Sequence, residues 1–231
     1  MSLEQTKQLI QAGRRTLREY VQETNAKVVA LGEVGIGNTT SSAALIALLT
    51  GVDAKNVCGR GAASVSKEAD DLVTKRKIGI VTRAIEKFRK SKVDSEDNHA
   101  LRCLAHVGGA EIACLVGAIL QASDDDVSLI IDGYIVTAAA LTAVTMSPVA
   151  CQGLLFATKS AETGHDFTVK AIFDIYEKSE TGTVPPVVPP KPPVLSMGLC
   201  MGESTGALLA VPLVRSAVAI LSGMATLSEV A

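Results

Sequence analysis

The chain has 231 residues, 48% of them hydrophobic and 20% charged, with a net charge of -2, which excludes general disorder and leaves no field that would select nucleic acid or an anionic membrane as the main partner. Aromatics make up 3% and tryptophan is absent, so the core has to be built from Ala, Val, Leu and Ile, and base-stacking platforms are not expected. Five cysteines, Cys58, Cys103, Cys114, Cys151 and Cys200, stand far apart with no C-x-x-C pair and no signal-peptide pattern ahead of them, so they read as reduced thiols of a cytoplasmic protein.

Ser2 and Gln5 have the spacing of a capping box, and Leu3, Ile10, Leu17 and Val21 fall on one stripe, which predicts an amphipathic helix ending near Asn25. Lys27 to Leu31 is a short apolar run stopped by glycine and predicts a strand buried on both faces. The glycine-rich loop Gly32 to Thr40 follows, and Ser41 to Leu49 resumes a helical pattern closed by Gly51. Lys87 to Asn98 is dense in charge and reads as a solvated helix end and loop. Val127 to Ile131 predicts a second buried strand, followed by Asp132-Gly133 and an Ala-rich helix, and Leu154 to Ala157 a third, ahead of a loop from Ser160 to His165.

Gly133 to Thr158 carries no charge and exceeds the roughly 20 residues that a bilayer requires. It holds Thr137, Thr142, Thr145, Ser147, Pro148 and Gln152 and directly follows Asp132, so two buried elements broken at Ser147 and Pro148 account for it better than a membrane span. Thr181 to Val194 contains six of the eight prolines and reads as a surface insert of polyproline character, with a docking motif for an SH3-like partner as the alternative. A second glycine-rich turn, Met197 to Gly206, precedes a last apolar helix. Strands alternating with helices predict one domain over 1–231, a three-layer α/β fold with a mainly parallel sheet and helices on both faces, its ligand at the C-terminal ends of the strands.

The first glycine loop lacks the Gly-Lys-Ser/Thr of a Walker A motif and the third glycine of the dinucleotide fingerprint. Its glycines before a helix N-terminus still suit a phosphate, although a tight turn without a ligand has the same pattern. Glu33 and Glu203 each adjoin a glycine, and two such carboxylates at two strand ends suit a proton-transfer site. His99, His106 and His165 have no metal-ligand spacing, and no G-x-S-x-G elbow exists for a serine nucleophile.

Gly32-Glu33-Val34-Gly35-Ile36-Gly37-Asn38-Thr39-Thr40, Gly59-Arg60-Gly61, Gly108-Gly109-Ala110-Glu111-Ile112-Ala113, Asp132-Gly133-Tyr134, Ser160-Ala161-Glu162-Thr163-Gly164-His165 and Gly202-Glu203-Ser204-Thr205-Gly206 occur in an order that resembles the nicotinate-nucleotide:dimethylbenzimidazole phosphoribosyltransferases. The resemblance implies a homodimeric α/β enzyme that moves phosphoribosyl from nicotinate mononucleotide onto an aromatic nitrogen base, with no cofactor. It implies Glu203 as the catalytic base and Glu33 as the supporting acid. Gly35, Gly37, Asn38, Gly61, Lys77, Ser160 and Gly164 would hold phosphate and ribose, with Asp132 in the same cleft. Members of the family usually carry a long N-terminal section before the first helix of this chain, and their connection after His165 is compact. The sequence therefore also allows a non-catalytic nucleotide-binding protein that retains the phosphate loops.

Overall fold

The computed structural model describes residues 1–61, 66–91, 98–179, 192–199, 202–226 and 228. Helix α1 (Leu3–Thr24) opens with both halves of the capping box, Ser2 and Gln5 each bonding the other's backbone, and stops where Asn25 turns left-handed at φ 52°. Strand β1 (Val28–Leu31) leads through the glycine loop into α2 (Asn38–Thr50), which lies between left-handed Gly37 and Gly51. Then come α3 (Ala54–Val57), α4 (Lys67–Lys90), α5 (His99–Val107), α6 (Ala110–Asp124), β2 (Ser128–Ile131), α7 (Gly133–Met146), a 3-10 turn at Pro148–Cys151, β3 (Leu154–Phe156), α8 (His165–Ser179) and α9 (Thr205–Gly223).

The three strands pair in parallel in the order β1-β2-β3, with Val29 opposite Leu129 and Ile131 opposite both Leu31 and Phe156. This is the α/β class expected from the sequence. The alternation of β2 sends Leu129 and Ile131 into the main core beneath α2, α6 and α7, and Ile130 to the opposite face, where Ala207 and Ala210 of α9 cover it. Val28 is exposed and the rest of β1 half-buried, so β1 is the edge of the sheet; the expectation of a strand buried on both faces is corrected there.

The uncharged stretch resolves into α7, buried from Gly133 to Val144, then the 3-10 turn and β3, so its break falls at Ser147 and Pro148 as the sequence indicates. Among the described residues the element that is long and apolar enough to cross a membrane, by length and composition, is instead α9. Only Gly206, Ala207 and Ala210 of α9 are buried, while Leu208, Leu209, Leu213, Val218, Ile220 and Leu221 face outward.

Helices α1 and α6 approach through glycine. A Cβ on Gly117 would lie 1.9 Å from the Ile10 carbonyl oxygen, and one on Gly13 equally close to that of Cys114. Most of the proline-rich segment, 181–191, lies outside the described residues, as do 92–97 of the charge-dense one. Where the chain returns, the Val194 N–H donates to the Phe156 carbonyl at 3.0 Å and Leu195 forms a parallel bridge with Thr158, so this end is fastened along β3.

Candidate functional site

Because all three strands run the same way, Gly32-Glu33, Asp132 and Thr158 to Ser160 leave the sheet at one edge. The turn before α9 returns to that edge. The Glu203 N–H donates to the Glu33 carbonyl at 3.2 Å, and Gly32 passes so close to the turn that a Cβ there would lie 1.9 Å from the Ser204 Oγ. Glu203 and Ser204 are consecutive non-glycine residues with φ of 60° and 61°, a left-handed pair that costs free energy and persists because the tether to Glu33 and the start of α9 fix it. Glu203 is exposed at this edge.

Glu33 accepts a short hydrogen bond from the Asn38 amide. Burial pushes its carboxyl above the usual range; the Asn38 bond opposes this, and the neighbouring charges of Glu111 and Glu203 add to the rise. Val34 to Gly37 stand exposed ahead of α2, whose N-cap, Gly37, has open space around it. No side chain caps α2 and no acid occupies its first turn, which leaves its free N–H groups for an anion.

Lys77 of α4 donates to the Thr39 hydroxyl at 2.8 Å and lies against Gly61, whose φ is +84°. The Gly61 N–H donates at 2.7 Å to the carboxylate of Glu162, which is 5% exposed and sits so close over Gly59 that a side chain there would collide with it. Glu162 thus fastens the 59–61 loop to the 160–164 loop. The sequence shows it inside a quoted motif but gives no signal for this role, because its partner is 101 residues away. Cys58, beside the same carboxylate, is pushed up to about 11 by burial, with Lys77 opposing and Glu162 adding, and stays a thiol at neutral pH.

Glu33, Gly35, Gly37, Asn38, Gly61, Lys77 and Glu203 therefore form one connected set at the strand ends. Three other expected site residues point inward. Ser160 is buried, with its hydroxyl accepting from the Glu162 N–H at 3.2 Å. Gly164 is buried against Tyr134 and Val57. Asp132 is 1% exposed and faces the Gly206 and Ala207 N–H groups and the Thr158 hydroxyl, none at full hydrogen-bond geometry, so burial outweighs them and its carboxyl is raised.

A groove of about 700 Å³ runs from Glu33, Val34 and Glu111 along the open edge of β1, walled by Gly13, Leu17, Tyr20, Ala30, Leu31 and Leu115. It is apolar along its length and acidic at the end that meets the site. Among the described residues no three His, Cys, Asp or Glu side chains are grouped to hold a metal.

A family model described as "Phosphoribosyltransferase" matches residues 1–174 and 190–231. Two curated relatives, both called nicotinate-nucleotide--dimethylbenzimidazole phosphoribosyltransferase, are from Shewanella frigidimarina, 33% identical over 99% of this chain and 57% of the relative, and from Pseudomonas putida, 36% identical over 100% and 58%. The crystal structure of CobT from Thermus thermophilus superposes with a TM-score of 0.82 at 34% identity, over 100% of this chain and 60% of that one. The chain thus spans somewhat under two thirds of the length of the proteins it matches.

Proposed function

The chain belongs to the phosphoribosyltransferase family, and from that premise we propose that it transfers phosphoribosyl from nicotinate mononucleotide to a benzimidazole-type base, giving an α-ribazole phosphate for the lower ligand of cobamides and releasing nicotinate. The observation that carries the reading is the tether between Glu203 and Glu33 beside the uncapped start of α2, which sets an exposed carboxylate next to an anion site. In this reading the α2 N-terminus, with Gly35, Gly37, Asn38, Gly61 and Lys77, holds the phosphate. Ser160, Gly164 and Asp132 support the loops from behind.

An acceptor ring nitrogen attacks C1′ of the ribose, the C1′–N bond to the pyridinium breaks, and nicotinate leaves with the electron pair as a neutral ring that needs no acid. Glu203 takes the N–H proton of the acceptor ring, so its work is orientation and proton removal. Glu33, its pKa raised, is the supporting acid. The apolar groove that ends at Glu33 and Glu111 suits a flat aromatic base. The reading includes a cytoplasmic homodimer, checked by the mass of the protein in solution.

The test is nicotinate release from nicotinate mononucleotide in the presence of 5,6-dimethylbenzimidazole. Glu203→Gln is expected to lower turnover by about 10² to 10⁴ while nucleotide affinity stays nearly constant. A Glu203→Gln variant that keeps the full rate overturns the role of Glu203. A wild type that binds nucleotide and releases no nicotinate overturns the transferase reading in favour of a nucleotide-binding protein.

A further inference from the structure

We propose that a second groove, between α1 and α6, binds a small oligophosphate anion at a site separate from the glycine loops. Gln11, Arg14, Arg15 and Arg18 recur along one face of α1 at the spacing of neighbouring helix turns, and with Gln121 of α6 they line a groove of about 430 Å³. Exposed arginines on a helix are ordinarily a solvated face. What distinguishes these is Gln121, which is 0% exposed and whose Oε1 accepts from Arg18 Nη2 at 2.9 Å and from Arg14 Nη1 at 3.4 Å. A buried, immobile amide holds two guanidiniums one helical turn apart, the preorganisation by which a binding site avoids ordering its long side chains at the moment of binding.

The same amide leaves its Nε2 buried with no hydrogen-bond partner among the described residues, so the Gln121 side chain is fixed through its oxygen, by the two arginines. Arg14 also pairs with an oxyanion, Nη1 lying 2.6 Å from Oδ2 of the Asp124 carboxylate. Arg14 is ion-paired to Asp124, whereas Arg15 and Arg18 are in no ion pair among the described residues, and their forks present the donors that a pyro- or triphosphate takes. Among the described residues no aromatic side chain lines the groove for a base to stack on, and seven residues of helix span only about 10 Å, so the fit is to a small polyanion rather than to a nucleic-acid backbone.

The groove is not the site already described. Helix α6 starts with Glu111 near Glu33 and reaches Gln121 ten residues later, about 15 Å along its axis, ahead of the start of β2.

Inorganic tripolyphosphate titrated into the full chain by calorimetry tests this. A saturable site that persists when Lys77 is replaced is expected, weakened by added salt. Arg15→Ala with Arg18→Ala should weaken it at least about tenfold while the chain stays folded, with melting lowered only by the lost Arg18 bond to the buried Gln121. Gln121→Glu, which keeps the shape and neutralises the arginines it holds, should weaken it similarly. Lys77→Ala should leave it intact. Absence of a saturable site, or unchanged affinity in the double variant, overturns the proposal; loss of binding in Lys77→Ala would place the anion at the glycine loops and overturn it equally.

Discussion

Gly32→Ala puts one methyl group where the site is tightest. The added Cβ would start 1.9 Å from the Ser204 Oγ and 2.4 Å from its backbone N, whereas ordinary contact begins at 3.4 Å, so the backbone of the turn carrying Glu203 has to retreat by about 1 Å even if the hydroxyl rotates away. Ser204 has little freedom to yield by rotation alone, because its backbone nitrogen is part of the clash. Moving a reacting group by about 1 Å costs on the order of 10² in rate, which sets the expected loss in kcat, about 2.7 kcal/mol of barrier. Overpacking of this kind destabilises by about 1 to 3 kcal/mol, so the melting temperature should fall by about 2 to 12 °C for a chain of this size. Nucleotide affinity should change little, since the α2 N-terminus is not displaced. Turnover, calorimetric affinity and a thermal melt are measured together, with Gly223→Ala as the control, where a Cβ meets open space. A Gly32→Ala protein with wild-type melting and full turnover would refute the claim that this close approach holds Glu203.

Gly117→Ala forces α1 from α6 at the Ile10 carbonyl and should cost about 1 to 3 kcal/mol in urea unfolding, with an unchanged midpoint counting against the close packing. Burial lowers His165 from 6.5 to about 4, so between those values the folded state binds fewer protons than the unfolded chain. Its stabilising contribution is complete above pH 6.5 and is lost as the pH falls towards 4, by about 3 kcal/mol at most, and His165→Gln should flatten the acid limb of the melting profile in that window. Glu162→Ala should raise the KM for nicotinate mononucleotide about tenfold by freeing the 59–61 loop, while Glu162→Gln, which keeps an acceptor for the Gly61 N–H, stays near wild type; equal effects of the two would refute the role of that bond.

Local signals were legible in the sequence. The Ser2 and Gln5 box, the glycine that ends α2 and the break at Ser147 and Pro148 each act within a few residues, and the structure has them where the pattern put them. Glu33 and Glu203 were legible as a pair because each adjoins a glycine. Features that depend on distant partners were not. Val28 to Leu31 reads as apolar whichever strand it pairs with, and only the pairing makes it an edge. Residues 205–223 are apolar around the whole helix, so periodicity names no buried face, and the small residues on the sheet side settle it. Gln121 looks like one more polar residue late in α6 until α1 lies across it.

The outer layer on the α9 side of the sheet is held by unusually small anchors. Gly206, Ala207 and Ala210 bury little apolar surface, against a central layer in which α7 is enclosed on every side. Local opening free energies follow such differences, so amides of α9 should exchange with solvent well before those of β2 and α7. Glu203 sits at the hinge of that helix. Release of α9 would withdraw the carboxylate from Glu33 while the sheet and the glycine loop before α2 stay folded, so on the proposed function turnover is expected to be lost first on mild denaturation and nucleotide binding among the last.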